Sequence, residues 1–229
     1  MALSALRLSP DLIAQVHDSL LAAVIDGTLA PGERLTQESV AEKLGVSRQP
    51  VSHALQVLKT RGLLIETGKR GLVVAPVDAK RIRDLYQVRE ALEALAARLA
   101  AGRVCDGLLT SADIKDARRA LDEGCALGSS ASVSELVKAD VRFHSILHQL
   151  SGNPAIGETI GDVWPHFMRS MSLVLSASEM RERVWREHRQ ILDAILTGKP
   201  ADAEMLARSH THRAGEDTAR RLEAMKSAA

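Results

Sequence analysis

Apolar residues at Leu12, Ile13, Val16, Leu20, Ala23 and Val24 recur at three- and four-residue intervals. That spacing gives a helix one buried face and predicts a helix over Pro10 to Asp26. Gly27 to Gly32 follows as a loop. Val40, Ala41 and Leu44 mark a short second helix that can start at Thr36. Gly45 supplies the positive-φ residue to end it, and Ser47 is a good N-cap for a third helix. That helix has Val51, Ala54, Leu55 and Leu58 as its apolar stripe, which leaves Arg48, Gln49, Ser52, His53 and Gln56 on the outer face. Gly62 can end it. Leu63 to Thr67 and Leu72 to Ala75 then read as two strands around the basic turn Gly68-Lys69-Arg70-Gly71. Two short helices with a tight turn, followed by a hairpin, make a winged helix-turn-helix.

From Asp78 the spacing is helical throughout. Asp78 to Ala101 is a long helix whose predicted buried stripe is Ile82, Leu85, Val88, Leu92, Leu95, Ala96 and Leu99. Ser111 to Ala126 and Ser132 to Leu150 are the next two. Pro154 to about Ala177 is a fourth helical stretch, disturbed by Pro165. Glu179 to Leu196 and Ala201 to Met225 complete a set of six. The predicted fold is mainly α: a winged helix-turn-helix over residues 1–76 and an antiparallel six-helix bundle over 77–229. Val77-Asp78 is a very short linker.

Composition narrows this picture. The chain is 45% hydrophobic but only 2% aromatic, so its cores must be aliphatic, which suits packed helices. The formal charge is +1, so nucleic-acid binding has to come from local clustering. Such a cluster exists: between Arg48 and Arg70 stand five Lys or Arg residues and one acid, Glu66. Cys105 and Cys125 have no metal-ligand spacing and read as reduced thiols. No signal peptide and no long apolar run is present, which places the expected protein in the cytoplasm and off the membrane.

The outer face of the third helix carries short, donor-rich side chains of the kind that read base edges in the major groove. Ser47, Arg48, Gln49, Ser52 and His53, with Lys69 and Arg70 of the basic turn, are therefore candidate DNA contacts, and a family resemblance adds Arg34 and Gly71. The alternative for Arg34 is a surface ion pair with Glu33 or Glu38. The stretch PGERLTQESVAEKLGVSRQPVSHALQVLKTRGLL followed by GKRG resembles the DNA-binding domain of GntR-type bacterial transcription regulators. The resemblance covers about residues 10 to 76. It implies that Arg34, Arg48 and the wing around Gly71 touch DNA. Ser52-His53 departs from the family's usual Arg-Glu, so a usual family operator is not implied.

Asp140 and His144 stand four apart on one helix and project from the same face. His188 lies on a later helix and His210 and His212 on the last one, and one carboxylate with three imidazoles can hold a divalent transition metal. On spacing alone such an aspartate–histidine pair is more often a surface hydrogen bond, and a lone His188 more often a satisfied packing residue. DLYQVREALEALAARLAA, DVRFHSILHQLSGN and EHRQILDAILTGKPADAEMLARSH resemble the all-helical FCD-type effector domain of the FadR branch of GntR regulators. That resemblance implies a metal on Asp140, His144, His188 and His210, zinc first, with nickel, iron or manganese as alternatives. It leaves His212 outside the ligand set and gives His148 a packing or supporting role. Arg89 and Arg169 are candidates to grip the carboxylate of a small organic-acid effector. The alternative for each is an ion pair, such as Arg89 with Glu93.

The expected protein is a homodimeric DNA-binding transcription regulator, a repressor rather than an activator, that reads a palindromic double-stranded operator. A small carboxylate metabolite bound at the metal would control it. Two alternatives stay open, a regulator for which the metal is itself the signal and a metalloenzyme built on the bundle. No nucleophile–base constellation supports the enzyme, so a non-enzyme is expected.

Overall fold

The computed structural model describes residues 10–68, 71–128, 130–174 and 178–227. The chain forms two compact units that meet between Pro76 and Val77.

In the first unit, α1 (Pro10–Asp26) packs on α3 (Arg48–Thr60), and α2 (Gln37–Leu44) lies between them in sequence. Thr36 caps α2 by accepting a hydrogen bond from the Ser39 amide, and Gly45 ends the helix at φ 65°. Only a residue without a Cβ adopts that left-handed conformation without strain. Ser47 occupies the N-cap of α3, but its side chain makes no capping hydrogen bond. Val51, Ala54, Leu55 and Leu58 are fully or almost fully buried, as their spacing predicted, whereas Leu44 is exposed. The wing is β2 (Leu64–Thr67) antiparallel to β3 (Gly71–Val74). A two-residue strand, β1 (Arg34–Leu35), adds to the far edge of β3, giving the order β1-β3-β2. The sequence pattern assigns no element to Arg34-Leu35. Two residues carry no period, and only pairing with β3 makes them a strand.

The second unit is all helix. Its longest members, α4 (Ala79–Cys105) and α10 (Pro200–Ser227), pack along each other. Gly215 permits the close approach, because a Cβ there would stand 2.7 Å from that of Tyr86. Between them in sequence come α5 (Ser111–Cys125), α6 (Val133–Leu150), α7 (Pro154–Gly161), α8 (Trp164–Val174) and α9 (Ser178–Leu196). The predicted fourth stretch is thus two helices, and the described residues form seven helices rather than six. Pro165 falls in the first turn of α8, where its missing N–H leaves no helical bond unmade. It starts a helix instead of bending one.

The long helix is phased differently from its predicted stripe. Ile82 and Ala96 are buried, but Val88 is 55% exposed, and Leu85, Leu92, Leu95 and Leu99 are half-buried. The line that faces inward is Tyr86, Arg89, Glu93, Ala97 and Ala100. A charged pair lies where hydrophobic spacing placed leucine. Two apolar clusters flank that pair, one around Phe143, Leu147, Ile191 and Ile195, the other around Tyr86, Ile160 and Phe167.

Candidate metal centre and nucleic-acid interface

Four helices bring polar side chains to one buried point. Asp140, His144 and His148 follow one another by a full turn on α6, so all three face inward. α9 supplies His188, which is completely buried, and α10 supplies His210 at 3% exposure. His144, His188 and His210 each place one ring nitrogen within 4.8 Å of the others. His188 Nε2 stands 3.1 Å from His210 Nε2 and 3.6 Å from Asp140 Oδ1. His144 Nε2 is 3.9 Å from the same oxygen. The four candidate ligands therefore converge.

The donor set passes a test of fit. Ligand atoms held about 2.0–2.1 Å from one ion in a tetrahedron stand about 3.3–3.4 Å apart, within the observed spread. His144 Nε2 is buried and has no hydrogen-bond partner among the described residues, a costly state for a polar atom unless a ligand satisfies it. Neutral imidazole is also the ligating form. Burial, and then the nearby His210, His144 and Arg89, hold His188 well below the usual histidine range. Burial likewise lowers His144. Asp140, His144, His188 and His210 could thus hold a divalent ion that would act as a Lewis acid for an incoming oxygen donor.

Two carboxylates behind these ligands were not singled out for this role in the sequence. Glu93 is 1% exposed and puts Oε2 3.1 Å from both His144 Nδ1 and His148 Nε2. Those contacts are close enough for charge attraction but are not aligned as hydrogen bonds. Burial works against Glu93's charge, yet the two imidazoles outweigh it and hold the carboxyl well below the usual range. Its other oxygen accepts from Arg89 Nε at 3.1 Å. Glu187 makes a 2.7 Å hydrogen bond with His210 Nδ1. Carboxylates at the outer nitrogens turn the inner nitrogens toward a metal. Glu187 precedes His188, and Glu93 follows Arg89 by one turn, so both were visible as neighbours of candidates. Their helical phase was the missing information.

A cavity of about 50 Å³ adjoins the ligands, lined by Asp140, His210, Arg89, Thr211, Arg181 and Arg183 among others. Arg89 thus lies in its wall, sandwiched against Trp164 at 4.5 Å and paired with Glu93. Both the candidate role and the ion-pair alternative find their residues in place. Arg169 is buried on α8 but is not among the described residues lining the cavity. His212 is exposed and contacts Glu90.

In the first unit the described DNA-contact candidates lie on α3 and its N-cap, on β1 and at the start of β3. Arg48, Gln49 and His53 are exposed on α3, and Ser52 accepts a hydrogen bond from Gln37. Arg48 pairs with Glu38 at 2.9 Å, so one of the two partners considered for Arg34 is engaged elsewhere. Arg34 is exposed on β1, its Nε over Gly71, 3.3 Å from where a Cβ would sit. Glycine there lets an arginine lie against the wing. Lys69 and Arg70 fall outside the described residues.

A winged helix-turn-helix joined to a helical unit of this kind defines a class of DNA-binding regulator. The comparisons carry this further. Residues 12–74 match the model for bacterial regulatory proteins of the gntR family, and residues 84–213 match the FCD domain. The chain is 30% identical over 213 residues to an HTH-type transcriptional regulator in an unstable DNA locus of Streptomyces ambofaciens, spanning 90% of this chain and 84% of that protein. It is 27% identical over 186 residues to the HTH-type transcriptional regulator YdhC of Bacillus subtilis, 79% of each chain. Among solved structures, a GntR regulator from Rhodococcus sp. RHA1 superposes with a TM-score of 0.73 at 25% identity, covering 91% of this chain and 97% of that one. Escherichia coli McbR/YncC shares the fold, with a TM-score of 0.74 at 22% identity over 88% and 94%. The chain belongs to the GntR family of bacterial regulators and carries an FCD domain. It is a DNA-binding transcription regulator and not an enzyme. No described helix is long and apolar enough to cross a membrane.

Proposed function

We propose that the protein is a homodimeric repressor controlled by a small carboxylate metabolite bound at a metal in its helical unit. Two copies would place two α3 helices on the halves of a palindrome, since a two-fold dimer matches a two-fold site. Arg34, Arg48, Lys69, Arg70 and the backbone at Gly71 would hold the phosphates, with Gln49, Ser52 and His53 at base edges and Ser47 at the helix start. Asp140, His144, His188 and His210 would hold the ion, with zinc first among the candidates. The carboxylate would take an open position on the metal and face Arg89. Arg169 would act from behind the wall rather than touch the ligand.

The observation that carries this reading is the convergence of one carboxylate and three imidazoles beside a cavity with an arginine in its wall. An effector shifts a dimer only by binding its two arrangements unequally, and a ligand bridging α4, α6 and α10 can do so. The test is the double variant His144→Ala/His188→Ala, compared with the parent for zinc content and for operator binding in gel shift with and without effector. Loss of zinc and of the response, with DNA binding retained, is the expected result. A double variant that responds like the parent refutes the metal-centred switch. The operator itself comes from capture of fragmented genomic DNA at moderate salt, where specific loci outcompete electrostatic background.

A further inference from the structure

Building on the metal reading above, we propose that the cavity selects a monocarboxylic acid with a short apolar body, and that Thr211 holds its carboxylate. The first support is charge. At the base of the cavity Arg89 faces two carboxylates, Glu93 at 3.1 Å and Asp140 at 3.8 Å, leaving this set one negative charge. A divalent ion on Asp140 and the imidazoles turns that into one positive charge, which a single carboxylate cancels. The guanidinium of Arg183 is already shared between Glu187, at 3.8 Å, and Asp217. Arg181 lines the same wall and is itself engaged. A second carboxylate on the ligand would therefore be buried without a charge of its own to meet, which is strongly unfavourable.

The second support is the wall. Leu136, Met171, Val174 and Trp185 line the cavity with apolar surface, and its small volume admits only a few heavy atoms beyond the carboxylate. An alkyl body fits that wall, although the Tyr86 and Thr218 side chains also line the cavity. The third support is Thr211. It directly follows His210, lines the cavity and is 1% exposed, and its Oγ1 has no hydrogen-bond partner among the described residues. A buried hydroxyl in that state is completed by an acceptor arriving in the cavity. A carboxylate has two oxygens; with one on the metal, the other can accept from Thr211.

The experiment uses the full chain loaded with zinc and compares butyrate with succinate, in which a second carboxylate replaces the methyl group. Binding is read by calorimetry and by fluorescence of Trp185, which lines the cavity. Butyrate is expected to bind at least about 10-fold more tightly than succinate or citrate. Thr211→Val is expected to weaken butyrate about 10-fold without changing zinc affinity in chelator competition. Thr211→Ser, which keeps the hydroxyl, restores it. Succinate or citrate binding as tightly as butyrate overturns the inference, as does Thr211→Val binding butyrate like the parent. If zinc loads and none of the three acids binds, the carboxylate-effector reading falls as well. If zinc does not load, the metal reading itself falls.

Discussion

Replacing Glu93 with glutamine tests the buried centre without emptying it. Glu93 is 1% exposed and serves three cationic or imidazole partners: Arg89 Nε, His144 Nδ1 and His148 Nε2, each at 3.1 Å. Glutamine keeps the shape and one acceptor oxygen but removes the charge. Arg89, itself 3% exposed, would keep only Asp140 at 3.8 Å. Breaking a buried ion pair from one side costs about 3–5 kcal/mol, because the remaining charge stays out of water. In a chain of this length each kcal/mol moves the melting point by about 2–4 °C, so the expected drop is about 6–20 °C. Zinc affinity should fall about 10–100-fold, since His144 would lose the carboxylate that orients it. Circular-dichroism melts of metal-free and zinc-loaded protein, with chelator competition, measure both. A melting point within about 2 °C of the parent, with unchanged zinc affinity, would show that Glu93 neither compensates Arg89 nor orients His144.

Further outcomes follow from the same structure. Unfolded His188 titrates near 6.5, but folded His188 is held well below that, so the unfolded chain binds the extra proton. Stability of the metal-free protein is therefore full above about pH 6.5 and falls as the pH drops below it. Glu93, depressed from 4.5, adds a loss only at lower pH. Melts across this range check the sign, and a flat profile down to about pH 5 refutes it. Gly124→Ala would put a Cβ 1.9 Å from the indole of Trp185. It should cost about 1–3 kcal/mol by overpacking, read in denaturant melts; an unchanged midpoint would mean that the indole moves aside freely. Arg48→Ala should weaken DNA binding across sequences and lower the salt slope by about one, a single phosphate contact. An unchanged slope would leave Arg48 to its exposed pair with Glu38.

The winged unit was legible almost residue by residue because its signals are local. The predicted bounds of α1 match those observed, Gly45 takes the left-handed conformation, and the stripe of α3 is buried. Each follows from spacing or backbone sterics within a few residues. β1 was illegible for the opposite reason: it exists only through Val73 and Leu72, far along the chain. In the helical unit the four metal candidates do come together, but spacing alone had placed only Asp140 and His144 on a common face. Bringing His188 and His210 to that face required the packing of α9 and α10, which family resemblance supplied.

The misphased stripe of α4 shows where hydrophobic reading fails. A spacing rule assigns charge to the surface, so it turned Leu85, Val88, Leu92 and Leu95 inward. The helix instead turns Arg89 and Glu93 inward, because each satisfies the other and because imidazoles and Asp140 on α6 share the burden. Alanines at 94, 96, 97, 100 and 101, all fully buried, let neighbouring helices approach closely enough for those contacts. The half-exposed leucines are the counterpart of that choice. The guanidinium of Arg89 is further held against three aromatic rings, those of Tyr86, Trp164 and Phe167. Leu85, Leu92, Leu95 and Leu99 still pack against the second apolar cluster, so of the expected stripe only Val88 is turned out to solvent while Arg89 and Glu93 face inward.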